Sequence, residues 1–165
     1  MIKFEKVSRE QFCTDFGDKF PNIPLEIAES IYEEIELPVR GTIRSAGYDF
    51  CIPFKAVLQP GEELLFPTGI RCKMDEDVVL LCVVRSSIGI KKGLHLCNQV
   101  GVIDSDYYNA KNEGHIITAL VNRGDKDFVI NKGDRIVQGI FVEYHTADEE
   151  AVTTKRTGGF GSSNK

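Results

Sequence analysis

The sequence lacks tryptophan, has only two methionines, and contains no apolar run long enough to span a membrane. Its first ten residues, MIKFEKVSRE, have no apolar segment, so we expect neither a signal peptide nor a membrane partner. Positive charge is also scarce, because 20 Lys and Arg stand against 25 Asp and Glu, for a net charge of −5. We expect no nucleic-acid partner, although local basic clusters suit a small anion.

Disulfide and zinc patterns are missing as well. The cysteines are odd in number and form no CxxC pair: Cys13, Cys51, Cys72, Cys82 and Cys97. The three histidines are scattered, without an HExxH spacing. These features predict buried free thiols in a cytoplasmic protein rather than a disulfide framework or a zinc site. Spacing alone leaves a Cys–His nucleophile pair open, but nothing in the sequence favours one.

The chain does have the composition of an ordinary globular domain, with 165 residues, 42 % hydrophobic and 27 % charged. Residues 24–35, PLEIAESIYEEI, are the one segment with clear helical periodicity. Its apolar face consists of Leu25, Ala28, Ile31, Tyr32 and Ile35. Because this face can pack over one side of the domain, we expect a single short helix here.

Beyond residue 36, short apolar or alternating runs are separated by turn signals such as Pro60-Gly61 and the stretch 131–134, NKGD. This pattern predicts an all-β fold, a jelly-roll-like β-barrel or sandwich with one short helix and a flexible C-terminal tail. The β domain would span residues 1–145, including the helix at 24–35. Residues 146–165, which end in RTGGFGSSNK, would form a mobile arm, because glycine is costly to order.

The stretch GVIDSDYYNA, residues 101–110, is an apolar strand that ends in two acids and an aromatic residue. Asp104 and Asp106 lie two apart, so both would point to one face if the strand continues. A carboxylate there can activate a water molecule as a general base. The alternative, commoner for such a stretch alone, is a polar turn at a strand end.

A second stretch, VVRSSIGIKKG at residues 83–93, runs from a strand into Arg85, Ser86 and Ser87 and then two lysines. Arginine, hydroxyl groups and the N–H groups of a turn suit a phosphate. Alternatively, Ser86 or Ser87 hydrogen-bonds to its own backbone and caps the turn.

Two further polar residues lie on predicted strands. Asp49, in AGYDF, is disfavoured on a strand, so it needs an arginine partner or a metal reached through water. Gln138, in GDRIVQGI at residues 133–140, is either a core polar residue bonded to a neighbouring strand or a ligand contact.

Taken in order, AGYDF, RSS with KKG, GVIDSDY, GDRIVQ and RTGGFGSS resemble the five motifs of the trimeric dUTPase family. The resemblance runs from residue 46 to the C-terminus. It implies a homotrimer of jelly-roll-like subunits whose active sites are shared between subunits. It also implies hydrolysis of dUTP to dUMP and pyrophosphate.

By position in these motifs, Asp104 is similar to the residue that orients and activates the water attacking the α-phosphorus. Tyr107 is similar to the ring that packs on the deoxyribose and leaves no room for a 2′-hydroxyl. The uracil-reading segment of the family corresponds to the hairpin LHLCNQVGVI, with Asn98, Gly101, Val102 and Ile103.

The family's phosphate contacts correspond to Arg85, Ser86, Ser87 and Gln138. Asp49 corresponds to an acid near the metal, which it would reach through water. The metal would be Mg²⁺, held chiefly by the triphosphate itself. It would neutralise charge on the leaving pyrophosphate.

The glycine-rich tail resembles the fifth motif, a lid that closes over a neighbouring subunit's site. Arg156 would meet the γ-phosphate and Phe160 would stack on uracil, with Gly161 and Ser162 in the same closing segment. Arg156 lies closer to Phe160 than the family's arginine usually does. Lys155 occupies the farther position, so either basic residue fits the γ-phosphate role.

Two other functions stay open. A related deaminase acting on dCTP shares this fold class, but it would want a catalytic Glu, and GVIDSDY and GGFG argue against it. A nucleotide-binding protein that signals to a regulatory protein partner is the other hypothesis. The loop YNAKNEG, residues 108–114, is longer than usual for the family and would carry that surface, unless it is a tolerated insertion.

Overall fold

The computed structural model describes residues 1–148 and residue 158. These residues form twelve strands, three α-helices and one 3-10 helix. In chain order the elements are β1 (Lys3–Lys6), α1 (Arg9–Lys19), α2 (Leu25–Glu33), β2 (Val39–Arg40), β3 (Tyr48–Cys51), β4 (Ala56–Leu58), β5 (Glu63–Pro67), β6 (Ile70–Lys73), β7 (Val78–Val84), α3 (Ser86–Lys92), β8 (Leu94–Leu96), β9 (Gly101–Ile103), the 3-10 helix (Ser105–Asn109), β10 (Ile117–Asn122), β11 (Phe128–Ile130) and β12 (Arg135–Glu143).

The strand pairs of this described part of the chain are all antiparallel and form four sheets. The largest sheet has the order β2-β3-β12-β7-β9, and a second has the order β5-β10-β8. Two further pairs are β1 with β6 and β4 with β11. Short antiparallel strands joined by turns confirm the prediction of an all-β fold.

One hydrophobic core joins the two larger sheets. Phe50, Leu80 and Val137 of the five-stranded sheet and Phe66 and Leu120 of the three-stranded sheet belong to a single buried cluster. Each of these side chains is at most 2 % exposed. Burying a side chain of this size is worth about 1.5–3 kcal/mol, so these residues stabilise the packing of the two sheets.

The predicted helix at 24–35 is confirmed as α2, within slightly narrower bounds. Ala28 and Ile35 are buried, at 3 % and 5 % exposure, as the apolar face predicts. The prediction that Leu25 packs against the domain is wrong, because its side chain is 59 % exposed. Leu25 is the first residue of α2 and lies within the stretch 21–27, which is exposed throughout. The N-terminal end of α2 therefore projects beyond the core.

The expectation of a single short helix is wrong, because α1 and α3 are also present. In α1 only Phe12 and Phe16 are buried among eleven residues, so its apolar spacing is too sparse to predict a helix. The start of α1 is signalled by Ser8, whose side chain accepts a hydrogen bond from the backbone N–H of Gln11. The ring of Phe16 packs against Phe20 and edge-on against Phe54, and this holds α1 on the β domain.

The cysteines of the described chain are free thiols, as predicted. Cys72 and Cys82 are buried, whereas Cys13, Cys51 and Cys97 are half-buried, so the prediction of buried thiols is confirmed for two of the five. Burial raises the pKa of both Cys72 and Cys82 to about 12, which makes them poor nucleophiles. None of the described helices is both long and apolar enough to cross a membrane.

Removing the ring of Phe16 tests whether α1 is an integral part of the domain. We expect Phe16→Ala to lower the free energy of unfolding by about 3–5 kcal/mol, because the truncation removes a fully buried ring and leaves a cavity among its aromatic neighbours. Urea unfolding followed by circular dichroism measures the change. Asp18→Ala, on the exposed face of the same helix, serves as the control and should stay within about 0.5 kcal/mol of the unmodified protein. A change of similar size in both variants would contradict the assignment.

Candidate active site

A polar cleft of about 450 Å³ opens at one end of the five-stranded sheet. It is lined by Gly41, Thr42, Ser45, Gly47, Asp49, Arg85, Ser86, Ser87, Arg135 and Gln138. Strand pairing brings these residues together, because Asp49 on β3 lies opposite Gln138 on β12, and Gln138 lies opposite Val83 on β7. Arg85 follows directly after β7. The structure therefore unites three of the sequence stretches singled out above, those that contain Asp49, Arg85 and Gln138.

The carboxylate of Asp49 is the centre of this cleft and is almost fully buried. Its Oδ1 lies 3.2 Å from the Nε of Arg85, and its Oδ2 lies 3.6 Å from the Nη1 of Arg135. The Asp49 side chain is 7 % exposed, whereas the two arginine side chains are 39 % and 42 % exposed. Asp49 thus holds two guanidinium groups that still reach solvent, so that, of the two partners considered from the sequence, arginine or a metal reached through water, the structure shows arginine.

The guanidinium group of Arg85 also has a backbone partner. The Nη1 of Arg85 donates to the carbonyl oxygen of Arg135 at 3.4 Å. Arginine presents planar, fixed donors that match the oxygens of phosphate, so this pair suits an anionic ligand. Arg135 was not singled out from the sequence, although its place beside Asp134 in GDRIVQ was the available signal.

Ser86 and Ser87 lie on the rim of the cleft and are exposed. They occupy the first two positions of α3, which has Arg85 as its N-cap and no hydrogen bond from that side chain to the helix. The cap position therefore falls one residue earlier than the serine-capped turn considered as the alternative. Exposed hydroxyl groups beside two arginines are well placed to donate to a phosphate oxygen.

Gln138 approaches β3 closely because residue 47 has no side chain. A Cβ atom at Gly47 would overlap the Oε1 of Gln138 and lie 3.1 Å from its Cδ. Any larger residue at position 47 would push the amide of Gln138 aside. The glycine of AGYDF therefore helps to set the position of an amide that lines the cleft.

A second cavity, of about 360 Å³ and mostly apolar, lies beside β9. Its walls are Cys82, Leu96, Cys97, Asn98, Gly101, Ile103, Ile116, Ile117, Thr118 and Ala119. Three of the four residues predicted to read a base, Asn98, Gly101 and Ile103, line this cavity. The fourth, Val102, is 58 % exposed. A flat heterocycle fits such a site, since the walls are apolar and the polar groups are few.

The prediction that LHLCNQVGVI forms a hairpin is wrong, because its two strands do not pair with each other. The chain does turn between β8 and β9, with Gln99 in the left-handed region at φ 63°. However, β8 pairs with β10 in the three-stranded sheet, and β9 pairs with β7 in the five-stranded sheet. The two arms separate because each finds its hydrogen-bond partners in a different sheet, and the cavity lies where they part.

The strand that precedes Asp104 ends at Ile103, so Asp104 and Asp106 do not lie on one face of a continuing strand. Asp104 is instead the N-cap of the 3-10 helix Ser105–Asn109, and its carbonyl oxygen accepts the N–H of Tyr107 at 3.1 Å. Asp104 is half-buried, whereas Asp106 is exposed. The tight turn gives the two carboxylates different surroundings.

Tyr107 is buried, at 7 % exposure, and its hydroxyl group both donates and accepts a hydrogen bond. The hydroxyl donates to the carbonyl oxygen of His115 at 2.8 Å and accepts from the Nδ2 of Asn112 at 2.7 Å. Gly114 allows the chain to close this turn, because its φ is +70° and a Cβ there would lie 2.7 Å from the Tyr107 carbonyl oxygen.

The loop at residues 108–114 is bound to the N-terminal part of the chain. The hydroxyl of Tyr108 donates to the Oε2 of Glu5 at 2.6 Å, and the ring of Tyr108 lies under the guanidinium of Arg71 at 4.5 Å. The carboxylate of Glu113 accepts from the N–H and the hydroxyl of Ser8, at 2.7 and 2.6 Å. These contacts were not foreseen from the sequence, because they join residues about one hundred positions apart.

The predicted residues thus fall into two groups. Asp49, Arg85, Ser86, Ser87 and Gln138 meet at the polar cleft, while Asn98, Gly101 and Ile103 line the apolar cavity. The predicted lid residues Arg156, Phe160, Gly161 and Ser162 lie outside the residues that the structure describes.

Fold and site together define an antiparallel β domain with an arginine-lined anion cleft and a separate heterocycle-sized cavity. The family model described as dUTPase matches residues 33–164 of the chain. The deoxyuridine 5′-triphosphate nucleotidohydrolase of Lactococcus lactis subsp. lactis (strain IL1403) is 47 % identical over 131 residues, which cover 78 % of this chain and 87 % of that protein. The chain belongs to the dUTPase family.

Solved structures agree with this assignment. The crystal structure of dUTPase from Streptococcus mutans is similar with a TM-score of 0.66 and 35 % identity, covering 88 % of this chain and 98 % of that one. The dUTPase from phage phi11 of S. aureus shares the fold with a TM-score of 0.66 at 19 % identity, covering 93 % and 97 % of the two chains. The jelly-roll-like architecture predicted from the sequence is confirmed.

Substituting Tyr108 tests the contact between the 108–114 loop and β1. The hydrogen bond from Tyr108, followed by those from Lys3, lowers the pKa of Glu5 from 4.5 to about 2. Because the folded pKa is depressed, ionised Glu5 stabilises the protein above pH 4.5, and this contribution is lost as the pH falls towards 2. We expect Tyr108→Phe to cost about 1 kcal/mol at pH 7 and progressively less below pH 4.5.

Urea midpoints of both proteins between pH 7 and pH 3 measure this difference. Tyr144→Phe is a matched control, because the Tyr144 hydroxyl donates to the backbone carbonyl of Glu76, which does not titrate. A Tyr108→Phe penalty that stays constant over this pH range would show that Glu5 is not its cause.

Proposed function

We propose that this chain hydrolyses dUTP to dUMP and pyrophosphate. The observation that carries the proposal is the pairing of an anion cleft, built on Asp49 and two arginines, with a separate apolar cavity at Asn98 and Gly101. Membership of the dUTPase family supports the same substrate. A nucleoside triphosphate needs both kinds of surface, one for its phosphates and one for its base.

In the cleft, Arg85, Ser86, Ser87 and Gln138 bind the phosphates. Asp49 holds the guanidinium groups of Arg85 and Arg135 so that their remaining N–H groups face the ligand without reorganisation. This preorganised charge supports the developing negative charge of the transition state. The buried position of Asp49 suits this anchoring role.

At the apolar cavity, Asn98 and the main chain of Gly101, Val102 and Ile103 read uracil. A close-fitting cavity rejects the thymine methyl by sterics, and it rejects cytosine because mismatched donors and acceptors would be left unpaired. Tyr107 packs against the deoxyribose and excludes a 2′-hydroxyl group.

Asp104 orients and activates the attacking water. The water oxygen forms a bond to the α-phosphorus, and a proton passes from the water to the Asp104 carboxylate. The bond between the α-phosphorus and the oxygen bridging to the β-phosphate breaks, which releases pyrophosphate and leaves dUMP. The half-buried position of Asp104 at the end of β9 supports this role.

The expected Mg²⁺ fits the substrate better than the protein. The part of the chain that the structure describes contains no group of three or more His, Cys, Asp or Glu placed to hold a metal ion. Asp49, the predicted acid near the metal, is already paired with two guanidinium groups. Mg²⁺ would therefore be held chiefly by the triphosphate, and it would supply neutralisation of the charge on the leaving pyrophosphate.

The working enzyme is a homotrimer with shared sites. The two predicted groups of residues line different cavities of one chain, and this supports a site completed by bringing the cleft of one subunit to the apolar cavity of another. The arm at 146–165 closes over that site, with Arg156 or Lys155 at the γ-phosphate and Phe160 on the base. The enzyme acts in the cytoplasm, where free cysteines persist.

A regulatory protein partner at the 108–114 loop is not part of the proposal. Tyr108 and Glu113 in that loop already bind Glu5 and Ser8 of the same chain. Their hydrogen-bonding groups are therefore engaged within the subunit.

The first test is pyrophosphate release from dUTP, dCTP, dTTP and UTP, each with Mg²⁺ and under identical conditions. We expect release from dUTP at least about a hundredfold faster than from the other three, because dCTP would leave buried polar groups unpaired and because dTTP and UTP would each clash with the site. Ammonia release from dCTP would contradict the proposal and show that the chain is a dCTP deaminase. A folded trimer without activity on any of them would contradict the proposal.

Asp104→Asn tests the base assignment directly. The amide keeps the shape of the side chain but cannot accept the proton, so we expect kcat to fall by about 10²–10⁴-fold while nucleotide binding is retained. Stopped assays of dUTP turnover, together with calorimetric binding of a non-hydrolysable imido analogue of dUTP, separate the two effects. Asp106→Asn, an exposed neighbour, is the matched control. Turnover near that of the unmodified enzyme would refute the assignment of Asp104.

A further inference from the structure

The turn that carries Tyr107 is attached to α1 through a buried histidine. His115 is fully buried, at 0 % exposure, and lies where the turn enters β10. Its Nδ1 is 2.5 Å from the Oδ2 of Asp15 on α1, and its Nε2 accepts the backbone N–H of Gly69 at 2.8 Å. Because Nε2 is an acceptor, the ring proton resides on Nδ1 and is donated to Asp15.

Asp15 is itself fixed as an acceptor. The Nε2 of Gln11, one turn earlier on α1, donates to the same Oδ2 at 2.9 Å. Burial alone would raise the pKa of Asp15, but the hydrogen bonds from His115 and Gln11 hold this pKa below its usual value. The carboxylate is thus ionised and held between α1 and the Tyr107 turn.

The same histidine fixes the aromatic ring through its backbone. The carbonyl oxygen of His115 accepts the hydroxyl of Tyr107, and Asn112 donates to that hydroxyl from the other side. The ring and the carbonyl oxygen belong to the same residue. The hydrogen bonds that hold the His115 ring therefore help to hold the carbonyl oxygen to which Tyr107 donates. The chain of contacts runs from α1 to the ring assigned to the sugar.

We infer that Asp15 and His115 are positioning residues that set the discrimination between deoxyribonucleotides and ribonucleotides by holding the ring of Tyr107. This inference rests on the proposed function, in which Tyr107 leaves no room for a 2′-hydroxyl. A 2′-hydroxyl group is larger than the hydrogen it replaces by only one oxygen atom, so a displacement of the ring of about 1 Å is enough to admit it. Orientation rather than stability is the contribution of this pair, because apolar residues would fill the same space without a desolvation cost.

The test compares kcat/KM for dUTP and UTP in Asp15→Ala, Asp15→Asn and Asp18→Ala. We expect Asp15→Ala to lower the ratio of dUTP to UTP about tenfold, the effect of losing one well-fixed hydrogen bond to a charged group. Asp15→Asn keeps an acceptor oxygen for His115 and should restore the ratio to within about threefold of the unmodified enzyme. Asp18→Ala removes a carboxylate from the exposed side of the same helix and should leave the ratio unchanged.

Tyr107→Phe covers the case in which Asp15→Ala does not fold. It keeps the ring but removes the donor to the His115 carbonyl, and we expect the same loss of discrimination. An unchanged ratio in a folded and active Asp15→Ala or Tyr107→Phe enzyme would overturn the inference.

A readout without substrate separates this inference from the proposed function. In protein labelled with 3-fluorotyrosine, the ¹⁹F resonance of Tyr107, assigned through Tyr107→Phe, should shift in Asp15→Ala and not in Asp18→Ala. An unmoved resonance in Asp15→Ala contradicts the positioning role even if the enzyme proves inactive. If the unmodified protein does not hydrolyse dUTP but the Tyr107 resonance still shifts in Asp15→Ala, only the proposed function is contradicted.

Discussion

The polar cleft depends on the position of β12 between β3 and β7. This strand pairs with both neighbours, and the register places Asp49, Gln138 and Val83 side by side across three strands. Asp49 and Val83, which are 89 and 55 positions away from Gln138 in the chain, thereby come within one strand spacing of it, roughly 5 Å. A slip of one residue would turn Gln138 to the opposite face and remove Asp49 from Arg135, so the register is a condition for the cleft.

Electrostatics explains how the cleft can hold two arginine side chains near each other. Two guanidinium groups close together would repel each other, and the buried carboxylate of Asp49 removes that cost by pairing with both. A single buried acid thus allows a concentration of positive charge on an otherwise acidic chain. The apolar cavity beside β9 needs no such compensation, since its walls are largely hydrocarbon.

Much of the fold could be predicted because alternation and turn residues record strands locally. The need of Asp49 for a partner was also predictable, since a lone carboxylate on a strand must be paired, but the sequence left open whether that partner was an arginine or a metal. Pairing between distant segments was not, and the assumed hairpin before β9 failed because its arms join different sheets. The helix α1 was missed because two buried phenylalanines in eleven residues give little periodicity. His115 showed no sign of its role, because its partners Asp15 and Gly69 are distant in the chain.

The contacts between the N-terminus and the Tyr107 turn have a consequence for how such proteins can be recombined. The family model starts at residue 33, yet Glu5, Ser8 and Asp15 lie before that point and bind residues of a loop inside it. The two segments form one unit that is split in the sequence by about ninety residues. A chimera that replaces residues 1–30 of this chain with those of a relative would leave hydrogen-bonding groups of the distant segment, among them the buried ring of His115, without the partners they have here. Such an exchange preserves these contacts only when α1 and the segment 107–115 come from the same protein.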